Sequence, residues 1–434
     1  MVNSDKEPRL FYGYIIVLLA CIILAITWGS MYSFGIFFKP VLLEFGWTRA
    51  TVSGAYSLAF FLNGFLGIFI GRFTDKFGPR IVVTICGILL ATGYLLTSQI
   101  GAVWHLYLFY GVLVGIGSSG AYIPAVSTVA RWFVKRRGLI TGVTMASVGL
   151  GTLIVPPITN LLISNYGWRT SFIIIGVVTF VLITLSAQFL KRDPSQIGQR
   201  PYGDNIGQEG LGSGYEVFSL YRAIRTKQFW MVSMMFLCFG ACVQTIMIHI
   251  VPHATDIAIS SVNAAIILAT IGGVSTASRI ILGGASDRIG NKRAITISFI
   301  MMFISLGLLL FAKDLWMFYL FAVVFGLAYG GWSALISVIV AELFGLASLG
   351  MILGAVIFGA TIGDAAAPAV AGWIFDSTGS YQLAFLICAA LSLIAVVLAL
   401  LLKPITNKQV NVTYNCSDMQ GDNRGNKSRL ACKG

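Results

Sequence analysis

The ten residues GRFTDKFGPR, 71–80, return in altered form as GASDRIGNKR, 284–293, and Asp75 falls on Asp287 at a shift of 212. The same shift carries Gly142 to Gly354, Pro156 to Pro368 and Gly167 to Gly379, and a shift of 211 sets Arg131, in ARWF, over Glu342, in AELF. A chain that repeats at this distance is built from two related halves. Each half is long enough for six crossings of a bilayer.

Composition places the chain in a membrane. Of 434 residues 57% are hydrophobic and only 10% charged, where soluble domains carry about 25% charged residues. A spanning helix needs about 20 apolar residues. Runs of that kind lie near 11–38, 50–71, 81–100, 103–130, 138–163, 170–190, 229–251, 261–284, 294–312, 315–341, 350–374 and 381–402. The sequence therefore predicts an all-α integral membrane protein, twelve transmembrane helices in two pseudo-symmetric six-helix bundles.

Lysine and arginine set the orientation, because cytoplasmic loops hold an excess of both. With the N-terminus inside, 24 of the 29 basic residues are cytoplasmic. Lys39, Arg49, Arg169 and Lys313 are external, and the one remaining is Arg279. The net charge of +13 then belongs to loops beside an anionic leaflet, with no call on nucleic acid. The predicted organisation is a cytoplasmic N-terminus (1–10), a first bundle (11–190), a Gly-rich cytoplasmic linker (191–228), a second bundle (229–402) and a polar cytoplasmic tail (403–434). The setting expected is the plasma (inner) membrane, with both termini cytoplasmic. The first apolar run is too long for a signal-peptide core and lacks a small-residue cleavage site.

Of seven cysteines, Cys21, Cys86, Cys238, Cys242 and Cys388 fall in spans, where they pack as small apolar groups. Cys416 and Cys432 lie in the tail, and no spacing suggests a metal site, so neither metal nor cofactor is expected. The tail triplets NVT, NCS and NKS match the glycosylation pattern but lie on the cytoplasmic side. An intramembrane enzyme would need paired carboxylates or a His/Asp cluster. Only Arg279 and Asp364 carry charge near mid-membrane, so the chain is read as no enzyme. His249 and His253 bracket the outer end of the seventh span and read, with His105, as interfacial.

Arg279 is the costliest residue in the chain. It stands eight residues before Asp287, about 12 Å into the bilayer at 1.5 Å per residue, and an arginine at a helix centre costs about 2.5–3.5 kcal/mol. Its forked donors match a carboxylate. One candidate for a fixed partner is Asp364, the sole charge of GATIGDAAAPAVAG, 359–372. Apolar surroundings and a nearby arginine pull a carboxyl in opposite directions, so Asp364 is expected either to carry a proton or to hold Arg279 in the empty protein. Tyr122 in GVLVGIGSSGAYIP and Tyr329 in GLAYGGW stand at cavity-lining depth, with Tyr32 and Met145 as further candidates.

The pattern G-x-x-x-D-K-x-G-P-R, at Gly71, Asp75, Lys76, Gly78 and Arg80, resembles the signature loop of the major facilitator superfamily. Its weaker copy stands at Gly283, Asp287, Arg288, Gly290 and Arg293. The physical sense is a charged latch, in which an aspartate beside a helix end pairs with basic residues of a facing loop and separates when the halves rock; Arg131 and Glu342 are counted with these gating residues. Within that superfamily, FYGYIIV (11–17), SFGIFFKPVLLEFGWTR (33–49), ARWFVKRRGLITG (130–142), HIVPHATDIAIS (249–260) and GWIFDSTGSYQLAF (372–385) resemble the monocarboxylate transporters and the bacterial oxalate/formate exchangers.

The resemblance implies a secondary transporter that alternates its access around a midplane site, with Arg279 in the place of the family's anion-binding arginine. It also marks departures. Ser275 stands where the animal relatives have an aspartate one turn before the arginine, and Tyr32 stands near their first-span lysine. The oxalate exchangers use a second cation in span eleven, where this chain has Asp364. One arginine suits one carboxylate. The expected partners are a small carboxylate, protons and the lipid bilayer, with the monomer as the working unit. An organic-anion exchanger and an exporter of another small molecule stand as alternatives.

Overall fold

The computed structural model describes residues 11–134, 137–203, 220–344 and 349–403. Its helices are α1 (Tyr12–Phe45, with a break in the bonding pattern at Ser33), α2 (Arg49–Phe77), α3 (Pro79–Thr97) and α4 (Val103–Trp132). One continuous helical tract, Arg137–Gln188, leaves helical geometry at Gly167 and supplies α5 (137–166) and α6 (168–188). The second half repeats the plan with α7 (Lys227–Asp256), α8 (Ser261–Ile289), α9 (Asn291–Phe311), α10 (Leu315–Phe344), α11 (Leu349–Thr378) and α12 (Gln382–Leu401).

Among the described residues eleven helical stretches are long and apolar enough to cross a membrane, and one of these, Leu139–Gln188, runs for 50 residues. At 1.5 Å per residue that is about 75 Å, more than twice a hydrocarbon core of about 30 Å. The turn at Gly167, φ +77°, divides it into two crossings and makes twelve. Only glycine adopts such a φ without steric cost. Its partner at the 212-residue shift, Gly379, has φ +71° between α11 and α12, so the repeat found in the letters is a repeat of backbone geometry.

The signature stretch differs from the loop expected of it. α2 stays helical through Asp75 to Phe77, and the turn is confined to Gly78, φ +83°, with Pro79 opening α3. Proline suits that first position because its missing N–H would be unpaired there anyway. Gly290, φ +88°, does the same between α8 and α9. Helices α2 and α8 therefore carry their charged ends beyond the apolar layer. α1 also overruns its expected end at 38, continuing to Phe45 and a left-handed Gly46 cap. Lys39 reads as a stop in the sequence, but it finds a carboxylate, Asp256, 3.2 Å away.

The bundles meet along seams that obey the repeat. Gly64 of α2 lies against Thr361 of α11, and Gly149 of α5 lies against Gly272 and Thr276 of α8. Exchanging each helix for its repeat mate six places away, α2 for α8 and α11 for α5, turns one pairing into the other. Gly35 of α1 faces the backbone of Ile248 in α7. Small residues let these helices approach to backbone contact, the usual device of membrane bundles.

Candidate functional site

Arg279 sits on the seam of α8 with α5. It is 7% exposed, and its Nη1 donates to the Met145 carbonyl of α5 at 2.8 Å. Its guanidinium carbon lies 5.2 Å from the ring centre of Tyr329 in α10, within the range in which an aromatic face attracts a cation. Its Nε is buried with no hydrogen-bond partner, and among the described residues no carboxylate pairs with it. Isolated buried charge is costly unless something pairs with it. The arginine is thus held from one side, with a donor left idle.

Aromatic residues from both halves surround it. The Tyr329 hydroxyl meets that of Tyr32 in α1 at 3.3 Å, joining the bundles at mid-membrane. Tyr329 stacks on Phe239 and Tyr32 on Phe60. Tyr122 of α4 is 39% exposed despite its mid-helix place, yet it lies within electrostatic reach of Arg279. Of the residues expected from the sequence, the fold brings together Arg279, Tyr122, Tyr329, Tyr32 and Met145. Met145 takes part through its carbonyl oxygen.

Asp364 has a different partner from the one expected as an alternative. It lies beside Gln244 of α7, whose Oε1 accepts from Tyr56 of α2 at 3.0 Å. Gly240, one turn before Gln244, lies so close that a Cβ there would stand 2.4 Å from Asp364 Oδ1. Tyr32 is within electrostatic reach of both Asp364 and Arg279 and stands between their fields. In this conformation Asp364 does not hold Arg279. It belongs to a second polar link between the bundles, Tyr56–Gln244–Asp364. Gln244 and Tyr56 went unremarked in the sequence because neutral polar residues are common in spans.

At the edge where α1 and α7 end, the halves are bound by charge. Arg49, the first residue of α2, pairs with Asp256 at 2.7 Å and donates to the Tyr381 hydroxyl at 2.7 Å. Its guanidinium lies 3.5 Å from the Phe375 ring centre. Asp376, at the end of α11, accepts from the backbone N–H groups of Arg49 and Ala50 at 2.9 and 2.7 Å. A carboxylate of one bundle thus caps a helix of the other, where the helix dipole favours negative charge. His249, expected at the interface, is instead fully buried between Tyr381 and the Pro368 carbonyl. The sequence signal for this cluster was the scarcity of basic residues on that side: two of its four, Lys39 and Arg49, are here.

At the opposite edge the described charges pair within a bundle. Asp75 binds Arg131 of α4 at 2.6 Å, and Arg131 also reaches Asp193 at 3.4 Å. Arg192 donates to the Asp75 carbonyl, and Arg80 holds the Gln188 side chain. In the second half Glu342 accepts from Asn291 at 3.0 Å. Arg288 and Lys76 are exposed, while Gly71 lies against Ile123. The Asp287 side chain lies outside the described residues. Of the interbundle hydrogen bonds and ion pairs described, Arg279–Met145 is the one nearest this edge.

Comparison with known proteins fits this architecture. A model of the Major Facilitator Superfamily matches residues 20–297 and 250–413. "Monocarboxylate transporter 12" of Rattus norvegicus is 26% identical over 418 residues, covering 89% of this chain and 84% of the relative. The Xenopus laevis protein of that name is 30% identical over 337 residues, 72% of each. The "Uncharacterized MFS-type transporter YhjX" of Escherichia coli (strain K12) is 27% identical, over 80% of this chain and 85% of the relative. A bacterial homolog of the human lysosomal transporter Spinster, crystallised in an inward-facing and occupied conformation, superposes with a TM-score of 0.72. Its identity is 15%, over 91% of this chain and 97% of that one.

Proposed function

The chain belongs to the Major Facilitator Superfamily, and we propose that it carries small organic monocarboxylates, lactate- or pyruvate-like, together with protons by alternating access. One observation carries this reading: Arg279 is buried, held from one side, and has no acid among the described residues to neutralise it. A substrate carboxylate supplies that anion. The tyrosines offer it hydroxyls and the aromatic walls take its apolar remainder. Relatives that bear the name monocarboxylate transporter support the same substrate class.

In this reading the conformation is inward-facing. The edge bound by Arg49, Asp256 and Asp376 is external, and the edge of the Asp75 and Asp287 turns is cytoplasmic. Both termini then lie inside the plasma (inner) membrane, and 191–228 is a cytoplasmic link between bundles 11–190 and 229–402. The unit is a monomer, since the site is complete within one chain. Asp364, set between the bundles, carries the coupled proton. The Asp75–Arg131 pair of the first bundle and Glu342 of the second are the two faces that meet as the cytoplasmic latch when the halves close on that side.

Uptake by purified protein in liposomes tests the reading, against a panel of labelled monocarboxylates with and without an inward proton gradient. Gradient-driven accumulation is expected. Counterflow without net accumulation would replace symport by anion exchange, and no carboxylate uptake by either route would refute the substrate class.

A further inference from the structure

His249 is a fully buried imidazole in the outer seal, and its hydrogen-bond directions are fixed by its neighbours. Its Nε2 lies 2.9 Å from the Pro368 carbonyl oxygen. A carbonyl only accepts, so Nε2 carries hydrogen. Its Nδ1 lies 3.0 Å from the Tyr381 hydroxyl. That hydroxyl accepts from Arg49 Nη1 at 2.7 Å, and arginine only donates. The tyrosine's own hydrogen therefore goes to Nδ1. A single directed chain runs from Arg49 of the first bundle through Tyr381 and His249 to Pro368 of the second. It closes only with a neutral imidazole whose Nδ1 lone pair is free.

A second proton on His249 reverses the middle link. Nδ1 becomes a donor, the Tyr381 hydrogen loses its acceptor, and that ring is already packed against Phe375, Phe385 and His253. The new charge also faces Arg49. The other ionisable groups around it offer no relief. On its own helix His253 is a second imidazole, and Asp256 is held by Arg49 and Lys39. From α11, Asp376 is occupied by two backbone donors. From α1, the Phe38 ring packs edge-on against it.

We propose that His249 is a proton-binding site of the outer gate, in which the neutral imidazole is required for closure and the protonated one favours the outward-open form; this rests on the alternating-access reading above. Acid outside then holds the site open for loading, and loss of the proton permits the seal to reform. The device is separate from Asp364, which stands in the mid-membrane link.

The test is a distance measurement between spin labels at Leu43→Cys, on the exposed outer end of α1, and Lys313→Cys, between α9 and α10, without substrate, at pH 8 and pH 5. One linked proton changes a conformational ratio by up to about tenfold per pH unit within its titration range. The parent should shift toward the longer separation at pH 5 by at least about tenfold in population ratio. With all labelled proteins carrying Asp364→Asn so that the mid-membrane acid does not titrate, His249→Gln, which keeps a donor for Pro368 but cannot titrate, should give one distribution at both pH values. Tyr381→Phe removes the middle link without touching the histidine, and should populate the open form at both. A parent that does not shift overturns the inference, as does a His249→Gln protein that still shifts fully or a Tyr381→Phe protein that matches the parent. A parent whose distances move with pH but which takes up no carboxylate would uphold the gate and refute the substrate reading alone.

Discussion

Replacing Arg279 with glutamine separates the two roles a buried arginine can have. In the structure this side chain contributes one hydrogen bond, to the Met145 carbonyl, and a cation–ring contact with Tyr329. A hydrogen bond to a charged group stabilises by about 1.5–3 kcal/mol, and an arginine at mid-membrane costs about 2.5–3.5 kcal/mol. The two nearly cancel, so Arg279→Gln should be as stable as the parent, or more so by up to about 2 kcal/mol. Binding should respond very differently. Truncating one partner of a buried charge pair costs about 2–5 kcal/mol, roughly thirty- to several-thousand-fold in affinity. Arg279→Lys keeps charge but loses the fork, and should fall between. The assays are the thermal midpoint of the purified protein and equilibrium binding of labelled monocarboxylates to it. Near-parental affinity in Arg279→Gln would refute the substrate-site assignment. A protein that fails to fold would refute the one-sided-anchor picture, since it would mean Arg279 neutralises a fixed acid.

Asp364→Asn keeps a polar group of the same size beside Gln244 but cannot exchange a proton; it should abolish gradient-driven accumulation and spare counterflow, and a variant that still concentrates substrate would remove Asp364 from coupling. Asp75→Asn loses a pair with Arg131 in which the aspartate is 61% exposed, so its stability should change by no more than about 1 kcal/mol. Its transport rate should drop while substrate affinity holds; an equal fall in both would place Asp75 at the site instead of the latch. Gly151→Ala sets a Cβ 2.1 Å from the Ala25 carbonyl oxygen, whereas at Gly142 nothing lies within 4 Å. The first should cost about 1–3 kcal/mol from overpacking and the second almost nothing, and equal thermal midpoints would contradict the described α1–α5 contact.

The fold was legible because membrane folding has few options. Apolar length marked every crossing, and the 212-residue shift that joined Asp75 to Asp287 also joined the left-handed turns Gly167 and Gly379. Helix ends were less legible. The charged residues 72–77 read as loop, yet water beyond the apolar layer lets α2 continue through them. Arg279 announced itself by its cost. The charged cluster at the Arg49 edge did not, because Arg49, Asp256 and Asp376 are ordinary loop-edge charges until the fold brings residues 327 positions apart within hydrogen-bond distance. Gln244 was invisible for the same reason. Its partners, Tyr56 and Asp364, come from opposite bundles, and no local pattern encodes such a meeting.

The Asp376 cap on α2 has a mechanical consequence. What it joins is a carboxylate and two exposed amide hydrogens, groups that water satisfies nearly as well when they part. A greasy plug would resist wetting and hold the passage shut through the size of its dry area. The cap instead trades protein contacts for hydration one bond at a time, while the aromatic packing around Tyr381 and His249 supplies the dry part of the contact. Its tightness therefore depends on the medium that bathes this edge. Dilute salt should strengthen it, concentrated salt should loosen it, and the dwell time of the shut form becomes a property shared between the protein and the water at its mouth.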